Sequence, residues 1–253
     1  MRAILLFELR RMLRGRTALS LVLALGALLA MCAMLSAPYA AQGGLALPGA
    51  VALVYHSVLS QFGFIVLGTI YCYAFARDFD GTWRFYDQAG VSPRHAVLAR
   101  LALLSLFSVI AAAAMYLLLS LAFGSAGNAS AFAVASVALS VLFCCALSCS
   151  VSLVARSPLV ATLAVLALFI ASSFLNMNLG GGGVFFQADL NGVSAATMSA
   201  LVGTGDAATV PWIDVARWGV PASLGLSTAW LAAAGLLLAA SLSHLARRDA
   251  AWR

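Results

Sequence analysis

RDFDGTWRFYDQAGVSPRHAVLAR, residues 77–100, is the longest polar interruption between two long apolar runs. Arg77, Arg84, Arg94 and Arg100 fall in it with Asp78, Asp80 and Asp87, in a chain that is only 9% charged. Phe79, Trp83 and Tyr86 stand at i, i+4 and i+7, so a helix would place them on one face. Asp80, Arg84 and Asp87 repeat that spacing one position along. The pattern is that of a short amphipathic helix between two membrane spans. Its aromatic face needs a partner, either the membrane surface or a soluble protein.

Outside this stretch the chain is strongly apolar. Its 253 residues are 64% hydrophobic, with a mean hydropathy of +1.03. Soluble domains run to about 45–50% apolar, so the class is an all-α integral membrane protein. All 14 basic residues are arginine, and the net charge is +6. They cluster at the ends of apolar runs rather than on one basic face, which speaks against a nucleic-acid binder. The five cysteines, Cys32, Cys72, Cys144, Cys145 and Cys149, lie inside apolar runs. They form no disulfide framework by position. Cys144, Cys145 and Cys149 have serines as neighbours, and no histidine or carboxylate. They read as small residues that let helices pack closely, not as a metal site.

Residues 1–16, MRAILLFELRRMLRGR, set Leu5, Leu9, Met12 and Leu13 on one stripe, with Leu6 beside it and Arg10, Arg11 and Arg14 opposite. Phe7 breaks the pattern. This predicts an interfacial helix with its arginines toward anionic headgroups. Six spans are predicted at about 19–35, 50–76, 97–123, 130–155, 159–177 and 222–245, each near the roughly 20 residues a crossing needs. Arginines before the first run, and Pro38-Tyr39-Ala40 after it, loosely resemble a signal peptide. The run is long for one, and it reads as a span. Loops are predicted at 36–49, at 124–129, and at the tight basic turn Arg156-Ser157-Pro158.

Residues 178–221 form a long segment opening on Gly180-Gly181-Gly182-Gly183. Short helices are predicted at about 189–202 and 210–218. No Lys-Ser or Lys-Thr follows the glycines, so they are not a phosphate loop. Phe185, Phe186, Trp212 and Trp218 predict that this segment folds back toward the membrane. Every arginine except Arg217 then falls on one side of a six-span layout. The positive-inside rule makes that side the cytoplasm, holds both termini there, and puts 178–221 outside the cell membrane. The whole chain is one membrane domain.

The chemistry of catalysis and ion coupling is missing from the spans. No arginine, aspartate or glutamate lies in mid-span, and His56, His95 and His244 share no motif. His56 reads as a hydrated tip near the outer interface. There are no candidate catalytic, cofactor or metal residues, and no nucleotide motif. Energy for any work then comes from elsewhere, since the chain carries no Walker A sequence.

In sequence the chain resembles permease subunits of the ABC-2 type of ABC transporter, sharpest at Asp78-Phe79-Asp80-Gly81-Thr82 and at Gly90-Val91-Ser92-Pro93-Arg94 through Arg100. Gly81-Thr82 matches the family's Gly-Thr. Asp78 or Asp80 stands where glutamate is usual, and Gly90 where proline is. The layout is similar throughout: an N-terminal interfacial helix, six spans, a helical loop at 77–96, and a long outer segment before span six. The resemblance implies a coupling helix seated on an ABC ATPase subunit, with ATP bound there and not by this chain. The contacts would fall to Asp78, Phe79, Asp80, Gly81, Thr82, Trp83, Arg84, Tyr86 and Arg94. It further implies a second permease copy or homologue, and export of a hydrophobic or amphipathic substrate such as a peptide, drug or lipid-like molecule. The length is similar to lantibiotic-immunity and drug-export subunits. Against this stand a headgroup anchor for Phe79, Trp83 and Tyr86, an integral membrane enzyme, and a non-transporting sensor or scaffold.

Overall fold

The computed structural model describes residues 2–41, 47–76, 86, 91–123, 127–178, 193–203, 210 and 212–251. Among the described residues every regular element is helical. In order they are α1 (Arg2–Arg14), α2 (Arg16–Ala41), α3 (Leu47–Val58), a π turn (Leu59–Gly63), α4 (Phe64–Ala76), α5 (Pro93–Phe123), α6 (Asn128–Ala155), α7 (Pro158–Asn178), α8 (Val193–Val202) and α9 (Val215–Ala251). Among the described residues six stretches are long and apolar enough to cross a membrane: Arg16–Tyr39, Gly49–Ala76, Pro93–Phe123, Asn128–Ala155, Pro158–Leu175 and Val215–Leu245. The fold is that of an all-α, multi-pass membrane protein. Leu23, Leu106, Leu121 and Leu236 are exposed on these spans, as side chains facing lipid rather than water can be. These six place the first turns of α1 and the last turns of α9 at one end of the bundle.

Several boundaries differ from the sequence reading; α5, for one, starts at Pro93 rather than at about 97 and takes in the end of the 77–96 loop. Helix α2 runs on through Ser36 and Pro38 to Ala41, where a loop was predicted. Pro38 lies in the last turn, so its missing N–H costs one bond near an end whose carbonyls are open anyway. Helix α9 starts at Val215 and contains Pro221, so 210–218 is not a helix of its own. Asp214 caps α9, accepting from the backbone N–H of Ala216 at 3.1 Å and of Arg217 at 3.3 Å.

The fourth span, α6, is the hub and touches α3, α4, α5, α7, α8 and α9. Its sequence shows why. Ser136, Ser140, Cys144, Ser148 and Ser152 recur every fourth residue, a small-residue stripe that admits a close neighbour. That neighbour is the second span, where Ala52, His56, Ser60, Phe64, Gly68, Cys72 and Ala76 are all buried at the same spacing. A four-residue step drifts by about 40° per repeat on a 3.6-residue helix. The wider π turn at Leu59–Gly63 takes up part of that drift and keeps one face inward.

The two spans run parallel in one register. His56 Nε2 meets Ser136 Oγ at 3.2 Å, Cys144 Sγ donates to the Phe64 carbonyl at 3.6 Å, and Ser152 Oγ donates to the Cys72 carbonyl at 3.4 Å. All three contacts join residues 80 apart. At Gly68 a β-carbon would lie 3.3 Å from Cys144 Sγ. The cysteines and serines therefore serve packing, as their setting in the sequence predicts.

Candidate functional site

Residues 77–85 and 87–90 lie outside the described residues, and with them Asp78, Phe79, Asp80, Gly81, Thr82, Trp83 and Arg84. The structure does show how the stretch is anchored. Tyr86 is 2% exposed. The Val91 N–H donates to the Tyr86 carbonyl at 2.8 Å, which holds Tyr86 beside the start of α5. The expectation that Tyr86 offers its ring to a partner is therefore corrected: its own chain covers it. Phe7 of α1 meets the ring edge-on, with centroids 6.1 Å apart and planes at 85°.

The reason lies in Glu8, the chain's only glutamate. It is 2% exposed. The Tyr86 hydroxyl donates to Glu8 Oε1. Arg100 grips the carboxylate with two donors, Nε to Oε2 at 2.9 Å and Nη2 to Oε1 at 3.0 Å. Arg100 Nη1 also donates to the Ala74 carbonyl at 2.9 Å, in the last turn of α4. Arg11 Nη1 donates to the Tyr86 hydroxyl at 3.2 Å and lies 3.9 Å from Glu8 Oε1. A carboxylate this buried is costly unless it is paired and hydrogen-bonded, and here it accepts three hydrogen bonds, two of them from Arg100. The Tyr86 hydroxyl is pushed up to about 12 by burial first, then by its bond to Glu8 and that group's charge; Arg100 and Arg11 pull the other way.

This cluster joins four elements. Glu8 and Arg11 come from α1, Ala74 from the end of α4, Arg100 from α5, and Tyr86 from the stretch between them. The buried face of α1 is therefore centred on Glu8, with Leu5, Leu9 and Met12 half-buried beside it. Leu13, placed on the apolar stripe by sequence, is exposed, as are Leu6 beside it and Arg10 and Arg14 opposite.

Arg94 is exposed in the first turn of α5 and has no hydrogen bond or ion pair among the described residues. A cation there opposes the helix dipole.

At the opposite end, α8 folds back into the bundle against α3, α6 and α9, with Val193 through Met198 buried. Two glycines seat it. A β-carbon on Gly49 would lie 2.6 Å from Val202 Cγ1, and one on Gly219 would lie 2.7 Å from Thr197 Oγ1. Trp212 and Trp218 are half-exposed, and the Arg217 guanidinium lies 5.4 Å from the Trp218 ring. Phe185 and Phe186 lie outside the described residues. His56 corrects the reading of a hydrated tip. It is 1% exposed, stacked near Phe132 with centroids 6.1 Å apart, and bonded to Ser136.

Sequence reasoning placed Arg100 at the head of the third span without a partner, and passed over Glu8. A signal for Glu8 existed: it is the only acidic residue before Asp78, set among arginines on a helix otherwise apolar along that face. Comparison with protein-family models, with characterised proteins and with solved structures finds no match.

Proposed function

We propose that the chain is the membrane-embedded permease subunit of an ATP-driven exporter of the ABC-2 type. It would move a hydrophobic or amphipathic substrate out of the cytoplasm with a separate ATPase subunit. One observation carries the reading. Both ends of the polar stretch, at Ala74 and at Arg100, are tied through Glu8 to the N-terminal helix, and Tyr86 within the stretch is tied to the same carboxylate. A push on residues 77–85 would then reach α1 and the second and third spans together, as a coupling element requires. Arg94, exposed where the helix dipole disfavours a cation, suits an acidic contact on a partner.

On this reading the end carrying the termini faces the cytoplasm. Phe79, Trp83, Asp80 and Arg84 meet the ATPase, Asp78, Gly81, Thr82 and Arg94 border the contact, and Tyr86 holds the stretch to the bundle. A second permease completes the assembly. The test is purification of the tagged chain from its native membrane in mild detergent. A soluble ATPase should copurify with wild type and be lost with Trp83→Ala. If wild type carries no ATPase activity, the exporter reading fails.

A further inference from the structure

Gln61 stands near the middle of the 28-residue span Gly49–Ala76. At 1.5 Å per residue it lies on the order of 20 Å along the helix from either end, at hydrocarbon depth. It belongs to the π turn Leu59–Gly63, in which Leu59, Ser60 and Gly63 are buried. The wider turn leaves its other two residues on the outside: Gln61 is half-buried and Phe62 is 49% exposed. From Phe62 the outer face continues through half-buried Val66 and Thr69 to Tyr73, which is 51% exposed. These four follow at steps of four, three and four, so one helix face carries them.

Other outward polar groups of the spans are satisfied by their own helices. The Thr69, Thr228 and Ser243 hydroxyls each donate to a carbonyl four residues back, at 2.8, 2.7 and 2.8 Å. The Gln61 carboxamide has no hydrogen bond among the described residues, and neither its nitrogen nor its oxygen is enclosed. Lipid chains offer it neither donor nor acceptor, and the headgroups begin about 15 Å from mid-depth. A carboxamide left there is costly.

Whatever covers Gln61 must bring both a donor and an acceptor to mid-depth. A carboxamide has both. Copies of one chain insert the same way, and a twofold axis along the membrane normal sets a residue on that axis against its own copy at its own depth. Two Gln61 side chains can then exchange hydrogen bonds, each N–H donating to the other's oxygen. We propose that the chain forms a homodimer through this face of the second span, with the two Gln61 carboxamides bonded to each other and the two Phe62 rings packed beside them. Val66 and Thr69 are small enough to let the helices approach along the same face. The contact would serve the second permease of the exporter reading, but it does not rest on that reading, because the carboxamide needs a partner in either case.

Energy transfer between donor-labelled and acceptor-labelled copies of the purified full chain in phosphatidylcholine vesicles tests this, with no ATPase present. Wild type should dimerise. Gln61→Leu should weaken the dimer by about tenfold, and Gln61→Asn, which keeps the carboxamide, should restore much of that loss. Thr228→Val, which removes an outward hydroxyl from the sixth span, should leave the dimer unchanged. Oxidation of Phe62→Cys in membranes should give a covalent dimer, whereas Ile110→Cys, at a position 59% exposed on the third span, should not. A monomeric wild type would leave the face to lipid or to a protein of another sequence and overturn the homodimer. An unchanged dimer with Gln61→Leu, or cross-linking at Ile110 and not at Phe62, would place the contact elsewhere and overturn it too. Diluted to monomer, Gln61→Leu should unfold no more readily than wild type. A lower unfolding midpoint would mean that the carboxamide is bonded within its own chain, and the proposal would fail.

Discussion

Glu8 and Arg100, 92 residues apart, meet through two hydrogen bonds of 2.9 and 3.0 Å, with the glutamate 2% and the arginine side chain 12% exposed. One glutamate thereby decides where the N-terminal helix sits. Glu8→Gln leaves Arg100 facing a neutral amide, and the loss should be about 3 kcal/mol. The double variant Glu8→Gln/Arg100→Gln should cost less than the two singles added, by a coupling of about 1–3 kcal/mol. Denaturation of the purified protein in detergent measures each term. Additive losses would mean that the pair is incidental to the packing of α1.

Tyr86 adds a pH dependence of known sign. Its hydroxyl is raised from 10 to about 12 in the folded chain, so the folded state prefers the neutral phenol. That preference contributes fully below pH 10. As pH climbs from 10 to about 12 an unfolded Tyr86 ionises first, and this contribution to stability is lost across that window. The slope should approach about 1.4 kcal/mol per pH unit at most. Tyr86→Phe should flatten it. An unchanged slope in the variant would place the alkaline sensitivity in other tyrosines.

The fold could be read from the chain further than the junction could. Spans and turns follow from runs of apolar residues and from Gly127, Arg156 and Pro158, which act locally. The Ser136-to-Ser152 stripe was also visible, and it names the face of α6 that takes a neighbour. Which neighbour it takes depends on the matching step in Ala52-to-Ala76, a pairing 80 residues away. Glu8 and Arg100 were visible as charges, but their meeting is tertiary. His56 was misread because one polar residue near a span end looks the same whether it faces headgroups or Ser136.

Ser136→Ala should confirm that His56 is a packing rung. The change removes the one hydrogen bond described for the imidazole, whose Nδ1 has no partner among the described residues. The cost should be about 1–3 kcal/mol, read as a lower unfolding midpoint in detergent. His56→Phe, which removes both polar atoms and keeps a ring, should cost less than Ser136→Ala. If Ser136→Ala is silent, the imidazole has another partner.

The seat of α8 gives a steric prediction. On Gly219 a new methyl would lie 2.7 Å from Thr197 Oγ1 and 3.0 Å from Val215 Cγ1, and Thr197 is itself held by a 2.7 Å bond to the Val193 carbonyl. Gly219→Ala should cost about 1–3 kcal/mol by overpacking and raise the rate at which a cysteine at buried Ala196 is alkylated. Gly235→Ala in the same helix meets nothing within 4 Å and should leave both readings unchanged. Equal behaviour of the two variants would mean that α8 is not wedged by Gly219.

Contact and transmission can be separated if the exporter reading holds. Trp83 belongs to the stretch proposed to touch an ATPase, whereas Glu8 holds Tyr86 and Arg100. Trp83→Ala should lose a partner outright, since truncating an interface aromatic can cost about 2 kcal/mol or more, roughly thirtyfold in affinity. Glu8→Gln leaves the surface of the stretch alone and loosens its footing. The ATPase should then still copurify, but its hydrolysis should no longer respond to substrate. Tyr86→Phe, which keeps the ring against Phe7 and removes one donor, should fall between wild type and Glu8→Gln. Pull-down and stimulated hydrolysis on the same preparations distinguish the roles. Loss of copurification with Glu8→Gln at unchanged thermal stability would put Glu8 in the contact itself, and the division between surface and footing would be wrong.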